Sequence, residues 1–155
     1  DGYRNGQERG TTTYIPEVDR AWTWRAGEVN IWTGYQNEGK SLFLNQLATI
    51  KASVDGWKFG VFSPENMPMN DFFNDIIEMY IGKSCDPYYK NNYMNEGEYK
   101  QGMDFVKNHF NVIYPKKNFT LDTIFEKAKY LIKTQGIRAF SKIVSNVKIC
   151  ISPGL

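Results

Sequence analysis

Apolar positions recur with two different periods in the first half of the chain, and each period predicts one kind of element. In GEVNIWTG, residues 27–34, apolar and other residues alternate and the run ends at a glycine, which predicts a strand. The following segment, KSLFLNQLATIKASV, carries apolar residues at helical spacing and predicts a helix over residues 40–54. WKFGVFS, residues 57–63, predicts the next strand.

The rest of the chain continues the alternation of helices and strands. Asn70 is a suitable cap for a helix with an apolar stripe, and a further helix is predicted from about Glu98 to His109. NVIYP predicts a short strand that Pro115 stops, Thr120 caps an amphipathic helix that ends at Gly136, and IRAF begins another strand. The order strand, helix, strand, helix, helix, strand, helix, strand predicts an α/β fold with a parallel sheet and helices on both faces.

A glycine-containing motif stands between the first predicted strand and the first predicted helix. GYQNEGKS, residues 34–41, has the pattern G-x-x-x-x-G-K-[ST]. The glycines allow a tight turn, so that backbone N–H groups and the positive end of the helix dipole face bound phosphates. Lys40 can reach the β- and γ-phosphates, and the Ser41 hydroxyl can hold Mg²⁺. A loop that merely joins a strand to a helix would explain neither side chain.

The motif defines a set of predicted nucleotide-binding residues. Glu38 lies where a carboxylate would repel phosphate, so we expect its side chain to face outward. Ser41 is in addition the predicted magnesium ligand. The complete set is Gly34, Tyr35, Gln36, Asn37, Glu38, Gly39, Lys40, Ser41 and Leu42.

Composition is that of an ordinary globular protein. The 155 residues are 41% hydrophobic and 23% charged with a net charge of +2, which suits one domain and does not by itself indicate nucleic-acid binding. No apolar run approaches about 18 residues and no signal peptide is visible, so we expect a cytoplasmic protein without a membrane partner. Cys85 and Cys150 lie far apart and are expected to be reduced thiols.

The distribution of arginine separates two classes of nucleotide-binding protein. Small-molecule kinases gather arginines around the transferred phosphoryl group, because a guanidinium binds phosphate oxygens in pairs. No arginine lies between Arg25 and Arg138, and lysines such as Lys116 and Lys117 replace it poorly. A small-molecule kinase is therefore the weaker alternative.

Three stretches carry a resemblance to a known family. RAGEVNIWTGYQNEGKSLFLNQLA, KFGVFSPENMP and NFTLDTIFEKAKYLIKTQGIRAF together resemble the ATPase domain of DnaB-type hexameric replicative DNA helicases, a group that includes Twinkle-like primase-helicases. The resemblance covers roughly residues 15–140. It implies a RecA-like P-loop NTPase core, ATP and Mg²⁺ as cofactors, and single-stranded DNA and a homo-hexamer as partners of the full-length parent.

The resemblance also implies a catalytic pair. In that family a glutamate just after the second strand activates the attacking water. SPENMP matches this element, so Glu65 is a predicted catalytic residue together with Lys40. A capping or solvated glutamate between Pro64 and Pro68 is the alternative.

The last residues depart from the family pattern. The family's third nucleotide element is an apolar run that ends in aspartate, but GIRAF is followed by SKIVSNVKICISPGL, which holds no Asp or Glu. We therefore predict residues 1–14 as a linker, 15–140 as a partial ATPase core that is incomplete at its C-terminal side, and 141–155 as an aberrant tail. A frameshifted fragment and a degenerate relative both fit this pattern. Such a chain is expected to bind nucleotide without useful hydrolysis and to form no closed ring; a non-hydrolysing nucleotide-binding module is the alternative to a motor domain.

One loop is a further candidate for nucleic-acid contact. DPYYKNNY contains Tyr88, Tyr89, Lys90 and Tyr93, and tyrosine rings stack on bases in many single-strand binders. An ordinary packed loop explains the same composition. The four tryptophans are scattered along the chain, which favours packing over base stacking.

Overall fold

The fold consists of five helices and five strands within the residues that the structure describes. This computed structural model describes residues 9–26, 28–33, 38–62, 69–113, 120–144 and 147–152. In chain order the elements are α1 (Pro16–Ala21), β1 (Glu28–Thr33), α2 (Lys40–Asp55), β2 (Phe59–Phe62), α3 (Asn70–Ile81), α4 (Glu96–His109), β3 (Phe110–Val112), α5 (Leu121–Gln135), β4 (Ala139–Val144) and β5 (Val147–Ser152).

The strands form one mixed sheet in the order β1-β5-β4-β2-β3. β2 pairs in parallel with β3 and β4, whereas β5 pairs antiparallel with β4 and with β1. The predicted α/β class is confirmed, but only part of the sheet is parallel. The cause is local: residues 145 and 146 alone separate β4 from β5, and so short a connection can join only antiparallel strands. Most of the predicted C-terminal tail thus lies in the sheet as β5 and the greater part of β4.

Two apolar clusters lie on opposite faces of β2. Phe59 and Val61 belong to a larger cluster, whereas Phe62 packs with Ile124 and Ala128 of α5 in a smaller one. Successive side chains of a strand point to opposite faces, so α5 covers one face of β2 and the larger cluster covers the other. That larger cluster draws on α2, α3 and α4 through Leu44, Leu47, Ala52, Phe72, Ile76, Ile77, Phe105 and Val106.

The helix ends follow local sequence signals in most cases. Thr120 accepts a hydrogen bond from the backbone of Thr123 at 3.4 Å and so caps α5, and Gly136 ends that helix with φ of 65°. α4 begins at Glu96, two residues earlier than predicted, because Asn95 and Glu98 form a reciprocal capping box. The cap predicted at Asn70 is wrong: Asn70 is the first residue of α3, and no side chain caps this helix. No described helix combines the length and the apolar character that crossing a bilayer requires.

The segment before β1 packs onto the domain although its sequence is polar. Thr11 and Trp24 exchange two backbone hydrogen bonds, of 2.7 and 3.0 Å. Asp19 in α1 accepts hydrogen bonds from the backbone and the hydroxyl of Thr13, at 2.7 and 2.6 Å, and a third from the hydroxyl of Thr12. Because Thr13 is fully buried, the carboxylate replaces the water that this threonine loses. Residues 9–14, which the sequence assigned to a linker, are therefore held in place.

A buried lysine fixes this N-terminal segment to α2. The side chain of Lys51 is only 1% exposed and forms an ion pair with Asp55 one helical turn later. Its ammonium group also donates to the carbonyl oxygen of Thr12 at 2.9 Å and lies 4.9 Å from the ring centroid of Trp57. Tyr14 donates its hydroxyl to Asp55 and so closes the cluster. The charge is buried at low cost because it has an anion, a carbonyl and an aromatic ring as partners.

These contacts predict how stability depends on pH. Hydrogen bonds from Thr12 and Thr13 lower the pKa of Asp19, and those from Lys51 and Tyr14 lower the pKa of Asp55. A carboxyl whose pKa is lower in the folded chain stabilises the fold above its unfolded pKa, about 3.9, and this contribution is lost as pH falls through the folded pKa. We expect Asp19→Asn to destabilise the protein at pH 7 and to cost progressively less below about pH 4, as measured by urea unfolding across pH.

Asp75 provides a control, because its pKa is shifted in the opposite direction to that of Asp19. Burial, together with Glu78 and Asp71, raises the pKa of Asp75, so its charged form is disfavoured in the fold. Asp75→Asn should therefore leave the free energy of unfolding unchanged or raise it at pH 7. Any stabilisation by this substitution should disappear below about pH 4. If the free energy of unfolding changed with pH in the same way for the wild type and Asp19→Asn, the result would contradict the role assigned to Asp19.

Candidate nucleotide-binding site

The candidate site lies where α2 begins, after β1. Gly39 immediately precedes α2 and has φ of 75° and ψ of 12°, in the left-handed region. Its carbonyl oxygen accepts the first helical hydrogen bond, from the backbone of Phe43 at 2.9 Å. A Cβ built on Gly39 would meet no atom of the described residues within 4 Å, and the left-handed backbone conformation itself favours glycine here.

The first turn of α2 carries the polar residues of the motif. Lys40 and Ser41 are half-buried, Leu42 is exposed, and the first turn contains no acidic residue. The partial positive charge of the helix N-terminus is thus not offset by a carboxylate of the first turn. Glu38 is exposed, as predicted. The structure therefore brings together Glu38 through Leu42 at one helix N-terminus; Gly34, Tyr35, Gln36, Asn37 and Glu65 lie outside the described residues.

Aromatic contacts hold the two elements that flank the motif. The ring of Trp32 in β1 lies 5.9 Å from that of Phe43 in α2 and 5.3 Å from that of Trp22. The indole nitrogen of Trp22 in turn donates to the Asn30 side-chain oxygen at 2.8 Å. Trp24 extends the cluster towards Trp57 and Phe59, at 5.7 and 5.8 Å. The tryptophans are packed, as predicted, and they fix the end of β1 against the start of α2.

The sheet order sets the relation between the motif and the second catalytic candidate. β1 and β2 run in the same direction, because each is related to β4 by an even number of antiparallel pairings. Their carboxyl ends therefore lie along one edge of the sheet, where ligands bind in open α/β sheets. β5 and β4 stand between them, so the two ends are separated by three inter-strand spacings, roughly 14 Å. The segment after β2 must span this distance if Glu65 is to reach a nucleotide at the motif.

The buried Lys51 was not predicted from the sequence. The sequence does contain a signal for it, since Asp55 follows Lys51 by four residues, the spacing of an ion pair on a helix. Such pairs are usually exposed, and here the polar N-terminal segment buries the lysine.

Comparisons with known proteins identify one distant relative and no family. No family model matches the chain, and no solved structure matches it. The Twinkle homolog protein, chloroplastic/mitochondrial, of Arabidopsis thaliana is 29% identical over an alignment of 143 residues, which covers 86% of this chain and 20% of that protein. The chain thus spans about a fifth of the length of that relative. The region of similarity includes most of the described fold, and it supports a distant relationship between this chain and the Twinkle homolog.

Proposed function

We propose that this chain is the ATP-binding motor domain of a replicative DNA helicase, with a RecA-like P-loop core, and that it acts within a longer protein. The observation that carries the proposal is Gly39, in a left-handed conformation that starts α2 directly before Lys40 and Ser41. A glycine turn, a lysine and a hydroxyl at a helix N-terminus are the groups that bind a nucleoside triphosphate. The distant similarity to a Twinkle homolog supports the choice of a helicase over other P-loop proteins.

The residues present suit Mg²⁺ and ATP. The start of α2 offers backbone N–H groups and no acidic residue in its first turn, and no atom of the described residues lies within 4 Å of a Cβ built on Gly39. Lys40 would bind the β- and γ-phosphates, and Ser41 would donate its oxygen to Mg²⁺. Bound Mg²⁺ would supply charge neutralisation of the phosphates. Glu65 would accept a proton from the attacking water, and single-stranded DNA and like subunits would be the partners of the longer protein.

Lys40 is the first residue to test. We expect Lys40→Ala to weaken Mg-ATP binding at least about tenfold, or ~1.4 kcal/mol, because the mutation removes a charge-assisted contact to phosphate. Isothermal calorimetry measures the effect. Lys100→Ala, at an exposed position of α4, is the matched control and should leave the affinity unchanged. If Lys40→Ala and the wild type bound Mg-ATP with equal affinity, the nucleotide would not bind at this loop.

Nucleotide binding without turnover is the second candidate function. It is favoured by the lack of Asp and Glu in residues 141–155 and by the insertion of β5 between β1 and β4, which separates β1, the strand before the motif, from β2, the strand before SPENMP. A small-molecule kinase remains the weaker alternative, since the chain has no arginine between Arg25 and Arg138.

Phosphate release by the purified chain tests whether the chain hydrolyses ATP by itself. We expect Mg-ATP to be hydrolysed at the background rate, because a missing metal-side carboxylate or arginine finger costs orders of magnitude in rate, about 10³–10⁵ for the finger alone. The control is Glu65→Gln, which should not differ from the wild type. Turnover of about 1 s⁻¹ or faster that disappears in Glu65→Gln would show instead that this chain is a motor by itself.

A further inference from the structure

A cavity of about 330 Å³ lies between α3, the start of α4 and the loop that joins these helices. A cavity of this size suits a small organic ligand. It shares no lining residue with the candidate nucleotide-binding site. Its lining consists of amide, phenol, sulfur and carboxylate side chains, namely Asn74, Cys85, Tyr93, Met94, Asn95, Glu96 and Tyr99.

Hydrogen bonds hold the loop wall of this cavity. A carboxylate oxygen of Glu78 accepts from the Ser84 hydroxyl at 3.0 Å and from the Cys85 backbone at 2.6 Å. Ser84 also pairs with the far end of the loop, since its carbonyl accepts from the Met94 backbone at 3.0 Å. Asn95 then caps α4. The loop is therefore closed at its base, which holds this wall of the cavity against α3.

The apolar part of the lining favours a flat aromatic ligand. The thiol of Cys85 lies 3.7 Å from the sulfur of Met94, and both residues line the cavity with polarizable side chains. Tyr93 and Tyr99 are partly exposed, so their rings are available at the mouth of the cavity. Sulfur atoms and tyrosine rings both make favourable contacts with aromatic rings.

The polar part of the lining selects among aromatic ligands. Asn74 accepts a hydrogen bond from the Tyr99 hydroxyl at 3.5 Å, and Asn95 accepts one from the Glu98 backbone at 2.9 Å. Each amide oxygen is thus engaged, which leaves the NH₂ groups to donate. Glu96 supplies a carboxylate that accepts hydrogen bonds, and the lining residues that the structure describes include no lysine or arginine. A complementary ligand is neutral, planar and carries both ring acceptors and an amino group.

We propose that this cavity binds a nucleobase and prefers one with an exocyclic amine, that is, cytosine or adenine. The ring lies against the tyrosines and the sulfur atoms, the asparagine NH₂ groups donate to ring acceptors, and Glu96 accepts from the amine. The base comes either from a free nucleoside or from a single strand. Tyr88 in the same loop is 82% exposed, with the ring of Tyr89 at 5.6 Å, and offers a stacking platform for a neighbouring base of a strand.

Titration with cytidine and with uridine, followed by saturation-transfer NMR of the nucleoside, tests the preference. Cytidine avoids the adenine that the proposed ATP site would also recognise. We expect cytidine to bind at least threefold more tightly than uridine, which has a carbonyl in place of the amine. Glu96→Gln should abolish the difference, because an amide can donate as well as accept.

Substitution of a cavity tyrosine tests the location. Tyr93→Ala should weaken cytidine binding at least tenfold, since it removes a ring from the cavity, and Tyr99→Phe should retain most of it. Tyr130→Ala is the matched control, because Tyr130 is 66% exposed on α5 and lines no part of this cavity. Absence of cytidine binding, or equal binding by Tyr93→Ala and the wild type, would overturn the proposal. Lys40→Ala should not affect cytidine binding, so this proposal and the proposed ATP site are tested independently of each other.

A single-stranded dC oligonucleotide distinguishes the two sources of the base. If the base belongs to a strand, the oligonucleotide binds more tightly than cytidine and Tyr88→Ala weakens only the oligonucleotide. If the ligand is a free nucleoside, cytidine and the oligonucleotide bind equally per base and Tyr88→Ala changes neither. If Tyr93→Ala left the affinity for the oligonucleotide unchanged, the strand would bind elsewhere on the protein, and this result would contradict base binding in the cavity.

Discussion

We expect Lys51→Met to lower the free energy of unfolding by about 2–4 kcal/mol. Methionine keeps most of the buried stem but removes the ion pair with Asp55, the hydrogen bond to the carbonyl of Thr12 and the contact with the Trp57 ring. Breaking a fully buried ion pair on one side costs about 3–5 kcal/mol. The lower range applies here because the Asp55 side chain is 28% exposed, so water can solvate the carboxylate that remains.

Urea unfolding measures this loss, and Lys100→Met is the matched control. Lys100 is exposed on α4, so the same change of side chain should alter stability there by less than about 0.5 kcal/mol. Lys51→Met should also release residues 9–14 from α2, which faster amide exchange at Thr13 would report. A Lys51→Met protein as stable as Lys100→Met would show that the N-terminal segment does not depend on the buried charge.

Gly102→Val is expected to destabilise the protein by about 2–3 kcal/mol. Gly102 is buried in α4, and a Cβ built on it would stand 2.5 Å from Cγ2 of Ile77 in α3. Ile77 is itself fully buried, so it has little space to move. The two helices approach closely at this point, and the stacked rings of Tyr80 and Phe105, with centroids 3.9 Å apart, depend on the same approach.

Gln101→Val separates steric overlap from helix propensity. Gln101 is the exposed neighbour of Gly102, and valine there should cost only about 0.5 kcal/mol through its lower helix propensity. Thermal unfolding of both variants gives the comparison. If Gly102→Val is no less stable than Gln101→Val, α3 and α4 can separate, and the cavity between them is not pre-formed.

The sequence by itself determined the features that depend on a few neighbouring residues. Thr120 caps a helix and Gly136 ends it because the cap and the left-handed turn need only local backbone geometry. The transition from β1 through a positive-φ Gly39 into α2 follows from the motif in the same way. Strand and helix periods likewise indicated an α/β fold, since burial of one face imposes the period directly.

Strand order and the partners of polar residues were decided only by the tertiary structure. A sequence period does not record which strand pairs with which, so nothing in it indicated that β5 would pair between β1 and β4 and so separate β1 from β2. The cavity is formed by residues as far apart as Asn74 and Tyr99, which the packing of Gly102 against Ile77 brings together. Lys51 is buried because Thr12, Asp55 and Trp57 converge on its ammonium group, and a buried charge is stable only where folding supplies such partners.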